Sequence, residues 1–136
     1  MLISTTSQAG NDAGIVWLKL SIVYLIIGIG LGIAMGASHD FTLRPVHAHM
    51  NLLGWTTLAL AGLIYSIYPQ AASSRLAKVH FWLYNLALPP MMVALALLVT
   101  GDQAAVPVLA ATQMVLAAAV LTFAANLFMN LKPREA

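Results

Sequence analysis

The sequence predicts an all-α membrane protein whose one domain consists of four transmembrane helices. Three observations carry this. Hydrophobic residues make up 61% of the 136 and charged residues only 7%, where soluble domains carry nearer a quarter. Four apolar runs reach the roughly 20 residues that a helix needs to cross a bilayer. Polar, turn-forming segments separate them: "ASHDFTLR", "PQAASSR" and "GDQAA".

The chain divides into a polar N-terminal tail at 1–14, a transmembrane domain at 15–131 and a basic tail at 132–136. The first tail lacks the basic start of a signal peptide, and the run after it is too long for a cleaved segment. The first helix is therefore retained, about Ile15 to Gly36. It carries Gly28, Gly32 and Gly36 at four-residue spacing. Such a ridge lets another helix backbone approach, from the same chain or from a second copy.

The second helix runs about Pro45 to Tyr68, with Pro45 in the first turn, where its missing N–H costs nothing. The third runs about Lys78 to Thr100. Pro89-Pro90 falls within it and predicts a kink, with neighbouring helices satisfying the freed carbonyls. Lys78 and His80 are expected to cap its end. The fourth, about Val106 to Leu131, is Ala-rich and suits close packing. Trp17, Trp55, Trp82, Tyr65, Tyr68 and Tyr84 are expected in interface belts and packing.

Short loops make successive helices alternate in direction. Lys19, Arg75, Lys78, Lys132 and Arg134 then share the side of the N-terminus, and Arg44 alone lies opposite. Five cations against one predict cytoplasmic N- and C-termini in a plasma membrane of the bacterial inner-membrane type. The four acids, Asp12, Asp40, Asp102 and Glu135, all fall in loops or tails. A proton pump or proton-coupled transporter keeps such groups at mid-depth, so those classes are disfavoured. Carboxylate-pair catalysis has no candidates either. A net charge of +2 is too small and dispersed for a nucleic-acid partner, and with no cysteine there is no thiolate chemistry and no disulfide.

The chemistry concentrates in the histidines. Imidazole is a good ligand for heme iron or copper. His47 and His49 enter the second helix together, but residues two apart on a helix point about 200° apart. They cannot chelate one metal as an i, i+4 pair can. If both are ligands, the helix stands between two sites and gives one histidine to each. Asn51, Gly54 and Leu58 follow His47 down its face, and a small residue such as Gly54 would leave room for a flat macrocycle. Leu52, Leu53 and Thr56 accompany His49. Arg44 can pair with an anion at the surface, such as a heme propionate. Each histidine can equally be a wetted interfacial anchor. His39 belongs to the loop. His80 lies about a bilayer thickness away and cannot share a metal with His47 or His49 of its own chain. The Met50, Met91, Met92 and Met114 thioethers suit core filling.

The stretch "LRPVHAHMNLLGW" (43–55) resembles the second transmembrane helix of the heme-copper oxidase catalytic subunit. The similarity is greatest to C-type cytochrome oxidases and nitric oxide reductases, where that helix supplies an axial histidine to the low-spin heme. "HFWLYN" (80–85) resembles the opening of a later helix of the same subunit. The two motifs cover fewer than 25 residues. That subunit has twelve core helices in three groups of four, and its tenth helix carries a His-x-His whose two histidines ligate different hemes. The resemblance therefore implies a homotrimer of four-helix protomers that rebuilds the twelve-helix plan. It implies heme b between adjacent protomers, with His47 of one and His49 of the next on the iron.

Oxidases hold copper with three histidines and a nearby tyrosine, and no such set lies at one depth here. The expectation is a membrane b-type cytochrome with heme near the outer face, for electron transfer or for handling heme or gases, with its electron donor and acceptor open. Three alternatives stand beside it: a small heme or heme-copper oxidase or nitric oxide reductase, a copper site using His39, His47 and His49, and an assembly partner of a larger oxidase.

Overall fold

The computed structural model describes the backbone of residues 5–131 and the side chains from residue 12 onward. The tail at 132–136, with Lys132, Arg134 and Glu135, lies outside the described residues. Four long helices dominate: α1 (Thr5–Ser38), α2 (Arg44–Ile67), α3 (Arg75–Val99) and α4 (Val106–Asn130). Among the described residues there is no strand. Each helix is long and apolar enough to cross a membrane. Helix α1 starts at Thr5, ten residues before the first apolar run, so the polar stretch at 5–14 is helical rather than extended. Its spanning part is Asp12–Ser38, with a mean hydropathy of 2.2.

Local chemistry sets the helix ends. Helix α1 stops where His39 takes a left-handed backbone, φ +56°, the conformation that commonly terminates a helix. The Asp40 carboxylate then accepts from the Thr42 N–H at 2.9 Å and from its hydroxyl at 2.6 Å. These two bonds, the hydroxyl first, hold the Asp40 carboxyl below its usual range. Pro45 sits in the first turn of α2. Ser74 caps α3 by accepting from the Ala77 N–H at 3.0 Å. Helix α3 continues unbroken through Pro89 and Pro90. A one-turn helix at Pro69–Ala72 bridges α2 to α3. A 3-10 turn at Gln103–Ala105, capped by the Asp102 side chain, leads into α4.

The second helix departs from the sequence expectation. Only Arg44–His49 and Leu58–Ile67 are α-helical, and Met50–Thr57 between them is a π-helix. Its wider turns leave carbonyls without a straight partner four residues on. Two hydroxyls take them up: Thr57 donates to the Leu52 carbonyl at 2.8 Å, and Tyr84 of α3 donates to the Leu53 carbonyl at 2.9 Å.

Helices α1 and α2 pack through small residues. A Cβ on Gly14 would lie 2.6 Å from the Gly62 carbonyl oxygen, and one on Gly62 2.9 Å from the Gly14 carbonyl oxygen. Gly28 and Gly32, two of the three ridge glycines, receive Asn51 and His47 of α2, so the ridge serves packing within the chain. Gly36 meets nothing within 4 Å. Helices α3 and α4 form the second pair. Trp17, Tyr65, Tyr84, Leu58 and Leu88 are all buried, so of the two places expected for the aromatics, Trp17, Tyr65 and Tyr84 take packing. Trp82 is exposed.

Two substitutions separate packing from helix propensity. Gly30 sits mid-helix with nothing within 4 Å, so Gly30→Ala should stabilise the protein by up to about 1 kcal/mol. Gly14→Ala should destabilise it, because the added carbon meets backbone. Thermal unfolding in detergent checks both. At the end of α1, His39→Gly should be at least as stable as the native chain and His39→Val less stable by about 1 kcal/mol, since a β-branched residue resists positive φ.

Candidate functional site

The N-terminal end of α2 gathers Arg44, His47, His49 and Asn51. His47 and His49 lie in the α-helical first segment, so the separation of about 200° holds for them. Their surroundings differ accordingly. The His47 ring lies half-buried against Gly32 of α1. His49 sits at the outer end of a stripe that continues through Leu52, Thr56, Leu60, Leu63 and Ile67 on the outward face. Leu52 there is 62% exposed and Leu60 54%. Leu53, expected on this face, packs on the core instead.

Both imidazoles make the same hydrogen bond. His47 Nδ1 is 2.8 Å from the Gly28 carbonyl oxygen of α1. His49 Nδ1 is 2.8 Å from the Pro45 carbonyl oxygen one turn back. A carbonyl can only accept, so in each ring Nδ1 carries the proton and donates it. Nε2 is then the atom with the lone pair. Histidines that ligate metals are held in this way, with the second nitrogen donating to a carbonyl or carboxylate that fixes tautomer and orientation.

The neighbours complete the picture. The Asn51 amide donates to the His47 carbonyl at 2.9 Å. The Arg44 guanidinium lies 5.3 Å from the centre of the Phe41 ring, at cation–π distance. Gly54 is buried, and the space its missing side chain leaves is filled by Tyr24: a Cβ there would lie 2.5 Å from the Tyr24 ring. The room below His47 is thus occupied by the chain itself. Arg44, His47, His49 and Asn51 share one end of the fold, whereas Gly54 belongs to the α1–α2 contact. Among the described residues no three His, Asp or Glu side chains come together to hold a metal ion. His39, His47 and His49 therefore form no common cluster within one chain.

His47 and His49 are the residues that could hold a heme iron. Each histidine presents a fixed Nε2, each on its own side of α2, and a cation stands beside them. The π-helix begins at the residue after His49. Such stretches are rare and recur at functional sites.

At the opposite end of the bundle, His80 is not a helix cap. It is 1% exposed, packed at the centre of the fold. Its ring stacks between Trp17, centroids 4.6 Å apart, and Phe123, 4.7 Å apart, while Tyr84 meets it edge-on at 5.6 Å. The Asn126 amide donates to the Tyr65 hydroxyl oxygen at 3.3 Å, which leaves the Tyr65 proton for His80 Nδ1, 2.9 Å away. Asn126 also donates to the Ala71 carbonyl and accepts from Ser74 and Asn130. One buried network thus joins α1, α2, α3 and α4. Asn126, with Asn130 one turn on, is the sequence signal for it, since a buried amide needs partners. Nothing in the sequence pairs Tyr65 with His80.

His80→Ala should destabilise the protein by about 3–5 kcal/mol, as loss of a buried ring does, with the thermal transition in detergent as readout. Tyr84→Phe should cost about 1 kcal/mol by stripping the Leu53 carbonyl of its donor.

No family model, curated protein or solved structure matches the chain.

Proposed function

We propose that the protein is a membrane b-type cytochrome, related to the heme-copper oxidase catalytic subunit, that binds heme b between neighbouring copies of itself. One observation carries this reading: two imidazoles on opposite sides of one helix each donate Nδ1–H to a backbone carbonyl at 2.8 Å and so hold Nε2 as the ligand atom. His47 of one chain and His49 of the next serve as the axial pair. Closed threefold symmetry gives equivalent sites without leaving either histidine over. The outward apolar stripe below His49 supports a neighbour on that side.

Heme supplies one-electron chemistry between ferrous and ferric iron, its potential set by axial ligands and their hydrogen bonds. The chain's residues do the rest. Gly28 and Pro45 carbonyls hold the ligand tautomers. Asn51, bonded to the His47 carbonyl, steadies the segment that carries the ligand. Arg44 neutralises a propionate at the membrane surface. A heme held by both histidines would suit electron transfer better than oxygen or nitric oxide reduction. Among the described residues Lys19, Arg75 and Lys78 cluster at the end of the bundle opposite Arg44. This supports a plasma-membrane topology with cytoplasmic termini and the heme near the outer face.

The purified protein should give a b-type reduced-minus-oxidised spectrum, a positive pyridine hemochrome assay and the mass of a trimer. His47→Ala and His49→Ala should each abolish the low-spin signal while the helical content stays. A protein that remains colourless after heme supplementation refutes the reading.

A further inference from the structure

At the end of the bundle opposite the histidine pair, a cleft of about 400 Å³ opens between α1 and the start of α3. That volume falls within the range of small-molecule sites. Trp17 and Tyr65, whose rings pack on His80, form its floor. Val16, Ala77, Phe81 and Trp82 make its walls, and Ser73 and Lys78 stand among its lining residues at the start of α3.

The lining is graded along α3. Lys78 comes first, and Phe81 and Trp82 lie about one turn beyond it; Arg75, at the helix start, stands outside the lining. Ser73, Arg75 and Lys78 are exposed. A charged rim therefore gives way, within about 6 Å along the axis, to aromatic and aliphatic walls. Asp12 is the one acid at this end among the described residues, against Lys19, Arg75 and Lys78. The cleft thus pairs a net positive mouth with an apolar interior.

We propose that this cleft is a binding site for one anionic phospholipid, with the phosphate at Lys78 and Ser73 and an acyl chain along Val16, Phe81 and Trp82. A lipid is the occupant that the gradient fits. A free anion would leave the aromatic walls bare, and a purely apolar molecule would leave the cations unpaired. Basic pockets between transmembrane helices are known to take anionic headgroups, each cation contributing attraction at the surface. The floor of the cleft is also the aromatic node that joins the four helices, so occupancy stabilises the whole bundle by mass action. The proposal is independent of whether heme binds at the other end.

The test uses the full chain, delipidated in detergent, titrated with phosphatidylglycerol, phosphatidylcholine or inorganic phosphate. Native mass spectrometry reads bound lipid, and thermal unfolding reads stabilisation. Phosphatidylglycerol should bind at one molecule per chain and raise the melting temperature more than phosphatidylcholine, with phosphate alone inert. Lys78→Gln should weaken phosphatidylglycerol binding about fivefold and leave phosphatidylcholine binding unchanged. Val16→Trp, which fills the cleft from an exposed position, should abolish binding of both. Should it fail to fold by circular dichroism, Ala13→Leu at the other side of the wall replaces it. Equal affinity for the two lipids, phosphate stabilising as well as lipid, or a filled cleft that still binds would each overturn the proposal.

Discussion

The fold hangs on one buried imidazole. His80 is clamped between Trp17 and Phe123 and accepts from Tyr65, which in turn accepts from Asn126. Those side chains come from all four helices, Phe123 and Asn126 both from α4. In a bilayer there is little hydrophobic drive between helices, because lipid tails are as apolar as leucine, so close packing and hydrogen bonds must do the work. This node supplies both kinds at one place. It also explains a quiet feature of the short turn between α2 and α3: the Ala71 carbonyl points to Asn126 at 3.0 Å, so the turn is bonded to the core.

The two ends of the bundle are consequently unlike. The end at His80 is tied through aromatic rings and a closed polar network. The N-terminal end of α2 is held to α1 by a pair of glycines, against which His47 and Asn51 pack, and by one histidine bond. Polar side chains there are engaged through one nitrogen and open at the other. The base is thus closed by its own contacts, while the tip keeps side-chain nitrogens that the fold does not use.

Much of this was legible in the residues and some was not. The four helices follow from hydropathy alone, and their ends came within three residues of the apolar runs except at α1, where the polar stretch at 5–14 continues the helix. Neither hydropathy nor propensity announces it, since Thr, Ser, Asn, Asp and Gly are weak helix formers and the stretch extends a helix already begun. The opposed directions of His47 and His49 follow from helical arithmetic and stand. His80 was misread because its position near a helix start suggested a surface cap, while burial depends on Trp17 and Phe123, 63 and 43 residues away. Gly54 was read as open space, yet the space that a missing side chain frees belongs to whichever neighbour reaches it first, and Tyr24 does. The π-helix at Met50–Thr57 had no local signature: its carbonyls depend on a hydroxyl from another helix.

That π-helical stretch has a mechanical consequence. Helix α2 must match α1 twice, at Gly14–Gly62 below and at Gly28 and Gly32 against Asn51 and His47 above. A uniform α-helix has a single phase, so meeting one contact dictates the angle at the other. The wide turns between them decouple the two, like a vernier joining scales of different pitch. The outer segment can therefore be rotated or lengthened by a residue without disturbing the inner one. Which way His49 faces is set by how its segment seats against Gly28 and Gly32, and the wide turns let that seating differ in phase from the contact at Gly62.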